Sequence, residues 1–413
     1  MQKDNLNNTT DKEVKGTPLL WNPKDITFDH PLEDVYTAAL PISGCAWIDT
    51  KDGYVLIDTM RTETAGKIVA ERIKGIIKYI IYTHGHDDHV GGASAFLRDN
   101  PEIIANKYLV DRLNKYKILS IHKARTRAQQ LNVPEDASII DYTFPTVLIS
   151  SEKVINLGDK TFELYPTRAE TDDVIWIYVP ELDSAFIGDL LIGSFPNIGN
   201  PWKPTRFALD WAHALEQVRE KDPQYIFYSG AANYYKGNRA KKALDANIEV
   251  IYSLHDQMVD FINQDLHITE IIHKIKIPDH LKKNPYLRLF YSRPEFFAYN
   301  VYRWYHGYFD GNIANLLPCP EKEVISEIYD LIGDSEKIYR RAEDLYNQGK
   351  FQLSLQVLDI LYRANSEDIE ARKLRIKLLS ELGAKDYCIM SRNAWVYYAN
   401  KDKEYLRKNG VEI

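Results

Sequence analysis

Thr83-His84-Gly85-His86-Asp87-Asp88-His89-Val90-Gly91-Gly92 puts three of the chain's eleven histidines and two carboxylates inside six residues. The run Ile77-Lys78-Tyr79-Ile80-Ile81-Tyr82 leads straight into it and reads as a buried strand, apolar and β-branched or aromatic. A loop of this composition at a strand end is a metal loop. Neutral imidazole and carboxylate are the ligands that borderline divalent ions accept, and His84-x-His86 projects two ring nitrogens the same way from an extended backbone. Asp88 and His89 then turn towards a second ion, while Gly91 and Gly92 allow a sharp exit into a helix near Ala93.

Working outward, Gly44 to Met60 reads as a hairpin, with Ala46-Trp47-Ile48 and Tyr54-Val55-Leu56-Ile57 flanking the turn pair Asp52-Gly53. A helix follows at about Thr62 to Lys74. Further strands are expected at Val154–Leu157, Thr161–Tyr165, Val174–Val179, Ala185–Ile187 and Tyr225–Tyr228, with a helix at about Arg206–Glu220. Two half-sheets packed face to face and covered by helices make a four-layer αββα sandwich, an α/β fold. From about Lys236 strand-like runs disappear. Ala240 to Asn263 reads as one long helix and Ser335 to Leu382 as several short antiparallel ones, punctuated by Gly349 and Gly383 and similar to a tetratricopeptide hairpin. The expected division is residues 1–20 as a disordered lead-in, 21–245 as the metal-bearing domain and 246–413 as a helical domain.

A chain of 413 residues with 45% hydrophobic and 27% charged residues is an ordinary globular sequence, long enough for two domains. Its net charge of −7 argues against nucleic acid as the main partner, because phosphate backbones are held by concentrated Lys and Arg. Cys45, Cys319 and Cys388 are too few and too scattered for a disulfide framework. No stretch is apolar for long enough to span a membrane, and Met1 to Pro18 lacks the apolar core of a secretory leader, so the expected location is the cytoplasm.

A two-ion centre needs ligands from later strand ends, and Glu170 and Asp189 are the candidates. The first lies in Thr167-Arg168-Ala169-Glu170-Thr171-Asp172-Asp173, after one strand, and the second ends the run Ala185-Phe186-Ile187-Gly188. The histidine run matches in full the Thr-His-x-His-x-Asp-His motif of the metallo-β-lactamase superfamily, and the layout resembles its alkylsulfatase branch, which uses glutamate where others use histidine. The resemblance puts Glu170 in that slot and Asp189 at the bridging carboxylate. It continues through Arg206-Phe207-Ala208-Leu209-Asp210-Trp211. It is strongest in Val301-Tyr302-Arg303-Trp304-Tyr305-His306-Gly307-Tyr308-Phe309-Asp310-Gly311-Asn312 and in Ala342 to Gly383, which are similar to the branch's helical dimerisation domain. The match spans about Val35 to Ala399, with no counterpart of the branch's C-terminal sterol-carrier-like domain before Ile413.

One departure stands out. Where the alkylsulfatases carry a His-His-Trp segment supplying the last ligand of the second ion, this sequence has Tyr228-Ser229-Gly230-Ala231-Ala232-Asn233-Tyr234. The first ion keeps His84, His86, Glu170 and Asp189; the second keeps Asp88, His89 and Asp189, with Asn233 or a water to complete it. The resemblance implies one or two zinc ions, although iron and manganese suit the same ligands.

It further implies a hydrolase acting on a sulfate ester or related ester with an anionic head and an apolar remainder. A bound ion lowers the pKa of its water from about 16 towards 7, and Asp88 or Asp189 orients the hydroxide and takes its proton. Lys203 and Arg206 are the expected anchors for the anionic head. Phe195 and Trp202, in the turn-rich stretch Gly193 to Pro204, are the expected apolar lining. A homodimer is implied, with Tyr299, Tyr302, Trp304, Tyr305 and Tyr308 as its anchors. Two other readings keep the fold: a biosynthetic enzyme with another reaction, including di-iron oxidative chemistry, and a degenerate dimeric scaffold.

Overall fold

The computed structural model describes residues 22–135, 140–230 and 232–412, so the expected lead-in, residues 1–20, lies outside the described residues. The chain divides into two compact units. The larger takes in Leu19–Arg125 and Glu135–Gly311, the smaller Thr126–Pro134 and Asn312–Ile413.

Two sheets make the centre of the larger unit. The first runs in sequence order through β1 (Thr27–Leu32), β2 (Val35–Leu40), β3 (Ser43–Thr50), β4 (Gly53–Ile57), β5 (Ile77–Ile81), β6 (Glu102–Asn106) and β7 (Val147–Ile149). It is antiparallel up to β4 and parallel from there, because α1 (Glu63–Ala70) and a following 3₁₀ turn carry the chain back between strands. The second sheet has the order β13-β12-β11-β10-β9-β8, with β8 (Lys153–Leu157), β9 (Lys160–Thr167), β10 (Val174–Val179), β11 (Ser184–Phe186), β12 (Tyr225–Tyr228) and β13 (Asn233–Lys236).

Strand alternation sorts the apolar side chains into three cores. Ala46, Ile48, Val55, Ile57 and Ile81 face Phe162, Ile175, Ile177 and Phe227 between the sheets. Their neighbours Trp47, Leu56 and Ile80 point outward under α1. Val174, Trp176 and Ile187 point to the other side, where α5 (Ala208–Glu220), α6 (Asn238–Asn263) and α8 (Pro294–Tyr305) cover them. Three cores between four layers are the expected αββα sandwich. The two-residue β3–β4 turn is Lys51-Asp52, one residue earlier than expected: Thr50 pairs with Gly53, where a Cβ would come within 2.7 Å of the Ile76 carbonyl.

Four further helices of this unit are α2 (Asp87–Val90), α3 (Leu109–Ile118), α4 (Ser120–Leu131), which crosses the division, and α7 (Ile268–Ile271). Tyr302, an expected dimer anchor, is buried in the α6–α8 core, whereas Tyr299, Trp304, Tyr305 and Tyr308 are exposed.

The smaller unit holds α9 (Glu321–Ile332), α10 (Ser335–Asn347), α11 (Phe351–Ala364), α12 (Ile369–Lys385) and α13 (Ile389–Lys408). Ile338, Ala342, Leu358, Leu361, Leu374 and Leu378 form the core of α10, α11 and α12. Gly349 punctuates α10 and α11 with φ +73°. Gly383 does not end a helix. It is buried inside α12, and a Cβ there would meet Trp395 and Val396 of α13 at 3.6 Å.

Candidate metal centre

β4, β5, β9 and β11 all release the chain at one edge of the sandwich, and each release point carries a carboxylate or the histidine run. At the exit of β5 the Thr83 carbonyl accepts from Ile175 N (2.7 Å), tying one sheet's edge to the other. His86 caps α2 with an extended backbone, after bends at Thr83 and Gly85, and the chain is helical from Asp87.

His84, His86, Glu170 and Asp189 offer ligand atoms all within 4.8 Å of one another, and Asp88, His89 and Asp189 form a second such group sharing Asp189. His84 Nε2 and His86 Nδ1 are 2.8 Å apart, and each lies 3.6 Å from Glu170 Oε2. His89 Nε2 lies 3.4 Å from Asp189 Oδ1 and 3.8 Å from Asp88 Oδ2. Ligands about 2.0–2.2 Å from one tetrahedral ion are about 3.3–3.6 Å from each other; the 3.6 Å and 3.4 Å separations fall in that range, while His84 and His86 stand closer, at 2.8 Å, and His89 and Asp88 a little farther apart, at 3.8 Å.

Glu170 tests whether a cation fits. Its Oε1 accepts from Asn197 Nδ2 (2.9 Å) and from the Arg206 guanidinium, whereas its Oε2 is buried with no hydrogen-bond partner. A desolvated carboxylate oxygen left unpaired beside two imidazoles is costly, and a divalent ion removes that cost. Burial opposes its charge, yet Arg206 and then His86 and His84 hold the Glu170 carboxyl well below the usual range. Asp189 goes the other way. Burial, helped by the charges of Glu170 and Asp88, pushes its carboxyl up to about 7 against the pull of His89. Burial and the neighbouring imidazoles His89 and His86 push the His84 imidazole well down, so its nitrogens stay available as ligands.

Residues the sequence reading passed over hold these ligands in place. Asp58, fully buried just after β4 with φ +59°, accepts from Thr83 N and Thr83 Oγ1 (both 2.8 Å) and faces His89 Nδ1 at 2.7 Å. With Nδ1–H donated to Asp58, His89 turns Nε2 to the centre. Burial works against charging His89, and the attraction of Asp58 and Asp189 overrides it, raising its pKa well above the ordinary value. Asp173 accepts from Gly85 N and Arg112 Nε (both 3.0 Å). Asp87 is no ligand. It points inward to Lys123 Nζ (2.5 Å) and the Tyr142 hydroxyl (2.6 Å), with Arg61 at 3.9 Å. A further residue is Tyr291, whose hydroxyl is pushed up by burial and by the charges of Asp88, Glu170 and Asp189. Only Asp58 left a signal in the sequence: a carboxylate closing an apolar strand, as Asp189 does.

Other expected positions are rearranged. Gly91 and Gly92 have ordinary negative φ (−73° and −97°) and serve close approach, since Cβ atoms there would lie 1.9 Å from the Arg61 carbonyl and 2.1 Å from that of Thr59. Arg206 is 3% exposed and sits behind Glu170, also donating to the Asn197 carbonyl (2.6 Å). Its backbone is clamped by Asn300, which accepts from Arg206 N and donates to its carbonyl. Phe195 is fully buried in the α5–α8 core, and Trp202 is half-buried. Lys203 is half-buried and lines a polar cavity of about 310 Å³ together with His86 and Glu170. Asn233 is exposed at the start of β13, across from Tyr228.

Residues 42–230 match the metallo-beta-lactamase superfamily and residues 267–404 match alkyl sulfatase dimerisation. The chain is 23% identical to the linear primary-alkylsulfatase of Pseudomonas sp. (strain ATCC 19151), over 85% of this chain and 72% of that protein. It is likewise 23% identical to the alkyl/aryl-sulfatase BDS1 of Saccharomyces cerevisiae, over 95% of this chain and 67% of that one. Among solved structures, the stereoselective inverting sec-alkylsulfatase Pisa1 from Pseudomonas sp. superposes with a TM-score of 0.84 at 21% identity, over 92% of this chain and 66% of that one. The chain therefore spans about two thirds of the length of such relatives. Sandwich, ligand edge and helical unit together make this chain a metallo-beta-lactamase superfamily domain joined to an alkylsulfatase dimerisation domain.

Proposed function

We propose that the protein is a metal-dependent hydrolase of alkylsulfatase type. The observation that carries this reading is the buried, unpaired Glu170 Oε2 set 3.6 Å from the ring nitrogens of both His84 and His86. His84, His86, Glu170 and Asp189 would hold one ion and Asp88, His89 and Asp189 a second, and zinc suits this set of nitrogen and oxygen donors. When bound, the metal supplies Lewis acidity and an acidified water at neutral pH.

The chain's own groups do the rest. Asp189, common to both ligand groups, and Asp88 are placed to orient the attacking oxygen and accept its proton. Lys203 anchors the anionic head. Arg206 orients Glu170 from behind and leaves the head to Lys203. The tail has a second cavity, about 460 Å³, lined by Ile268, Phe296, Tyr299 and Tyr302, which shares Lys203 and Arg303 with the polar one. Phe195 supports the turn-rich stretch Gly193 to Pro204 from the core, and Trp202 is its half-buried aromatic. With no histidine at the last position, a water or Asn233 completes the second ion's shell, which makes that ion the weaker bound.

A homodimer is supported by the dimerisation match and by α9, which buries no residue of its own and exposes Val324, Ile328 and Leu331 on one amphipathic face. Cys45, Cys319 and Cys388 form no disulfide, which suits a reducing cytoplasm.

The test is metal analysis of protein purified without chelator, alongside sulfate release from a medium-chain alkyl sulfate. One to two zinc ions per chain and turnover abolished by Glu170→Gln are expected. Metal-free protein, or metal-loaded protein that leaves every alkyl sulfate intact, would refute the proposal.

A further inference from the structure

The polar cavity beside the metal ligands holds more positive charge than a single sulfate answers. His86 and Glu170 line its metal end, and the cations Arg112, Lys115, Lys203, Arg206 and Arg303 line the rest with one further carboxylate, Asp172. Two of these five cations are neutralised within the protein, Arg112 by Asp172 and Asp173, and Arg206 by Glu170. Lys115, Lys203 and Arg303 form no ion pair among the described residues. Asp172 and Asp173 pair with Arg112 and reach Lys115 only at longer range, so the cations around the recess outnumber its carboxylates; they repel one another, and an anion bound among them relieves both that repulsion and their partial desolvation.

Size and layout agree. A volume of about 310 Å³ falls at the lower end of small-molecule sites, roughly 300–1,000 Å³, and so has room for more than one tetrahedral anion. The apolar cavity opens across the rim made by Lys203, Thr205 and Arg303, whereas Lys115 on α3 lines the polar cavity and not the apolar one. A tail leaving over that rim still leaves Lys115 facing the head.

We infer that the substrate head carries a second anionic group close to the scissile sulfate ester, received by Lys115 and Arg303 while Lys203 holds the ester itself. This rests on the alkylsulfatase-type reading and narrows it from a simple alkyl sulfate to a dianionic amphiphile.

The test uses the full-length, zinc-loaded protein and two secondary alkyl sulfates of equal length, one bearing a carboxylate on the carbon next to the sulfated one. The carboxylated ester should have a KM lower by about tenfold, the size of one charge-assisted hydrogen bond. The double variant Lys115→Gln/Arg303→Gln should bring the ratio of the two KM values close to one, while Lys115→Arg keeps it. Equal KM values in the unmodified protein, or a ratio that survives in the double variant, overturn the inference. If neither ester is cleaved, the hydrolase reading fails separately, and calorimetric binding of the same pair decides the second-anion site by the same ratio. Should the double variant not fold, ionic strength replaces it: salt should erase the dianion's advantage, and an advantage unaffected by salt overturns the inference.

Discussion

Asp58 shows how much of a metal centre lies one bond behind its ligands. Its carboxylate holds Thr83 and the Nδ1 face of His89 together, so Asp58→Asn should leave the fold standing but let the ring turn. Loss of such an orienting partner costs about 10–100-fold in metal affinity or activity, to be read from metal content per chain and from kcat at saturating zinc. Lys203 gives the residue-scale pH signature. Burial, then the charges of Arg206 and Lys123, lower its ammonium to about 8, and metal ions in the centre would lower it further. It is charged below that value and neutral above, so KM for an anionic ester should rise as pH climbs through about 8, and Lys203→Arg should remove the break. The same shift makes stability fall as pH drops from the unfolded value of about 10.4 to about 8, because the unfolded chain binds the proton more tightly.

At the scale of elements, the histidine loop is a rigid insert clamped from two sides. Gly85 lies against Asp173 and Arg112, and a Cβ there would come within 2.7 Å of each side chain. Gly85→Ala should therefore cost about 1–3 kcal/mol by overpacking and loosen metal retention together with stability, measured by metal-free and zinc-loaded melts. On the other side Asp87 is 3% exposed and depends on Lys123. Lys123→Met leaves a buried carboxylate short of its main partner and should cost about 3–5 kcal/mol in chemical denaturation. Strand and helix positions near the loop were legible because period-two and period-3.6 patterns are local. That Gly91 and Gly92 serve close approach rather than a sharp exit was not legible, because their contacts, the Arg61 and Thr59 carbonyls, lie some thirty residues away.

For the whole molecule, the converging carboxylates imply that metal binding and folding are linked. Chelation should lower Tm, and zinc at about 100 times its Kd should return about 2.7 kcal/mol of stability; an unchanged Tm with no metal bound would count against the centre. The unburied face of α9 predicts a dimer. Scattering mass should be about twice 47.9 kDa, and Ile328→Asp/Leu331→Asp should halve it.

By itself the sequence determined the αββα sandwich, the helical half and the identity of six candidate ligands. Those are written in short-range patterns: alternation along strands, helical spacing, and His84, His86, Asp88 and His89 within one loop. Only the tertiary structure decided what surrounds the ligands. It paired Arg206 with Glu170, moved Phe195 and Tyr302 into the core, and brought Asp58, Asp173 and Tyr291 to the centre. The physical reason is that a buried charge answers to whatever shares its cavity, and which residues do so is set by how sheets and helices stack rather than by distance along the chain.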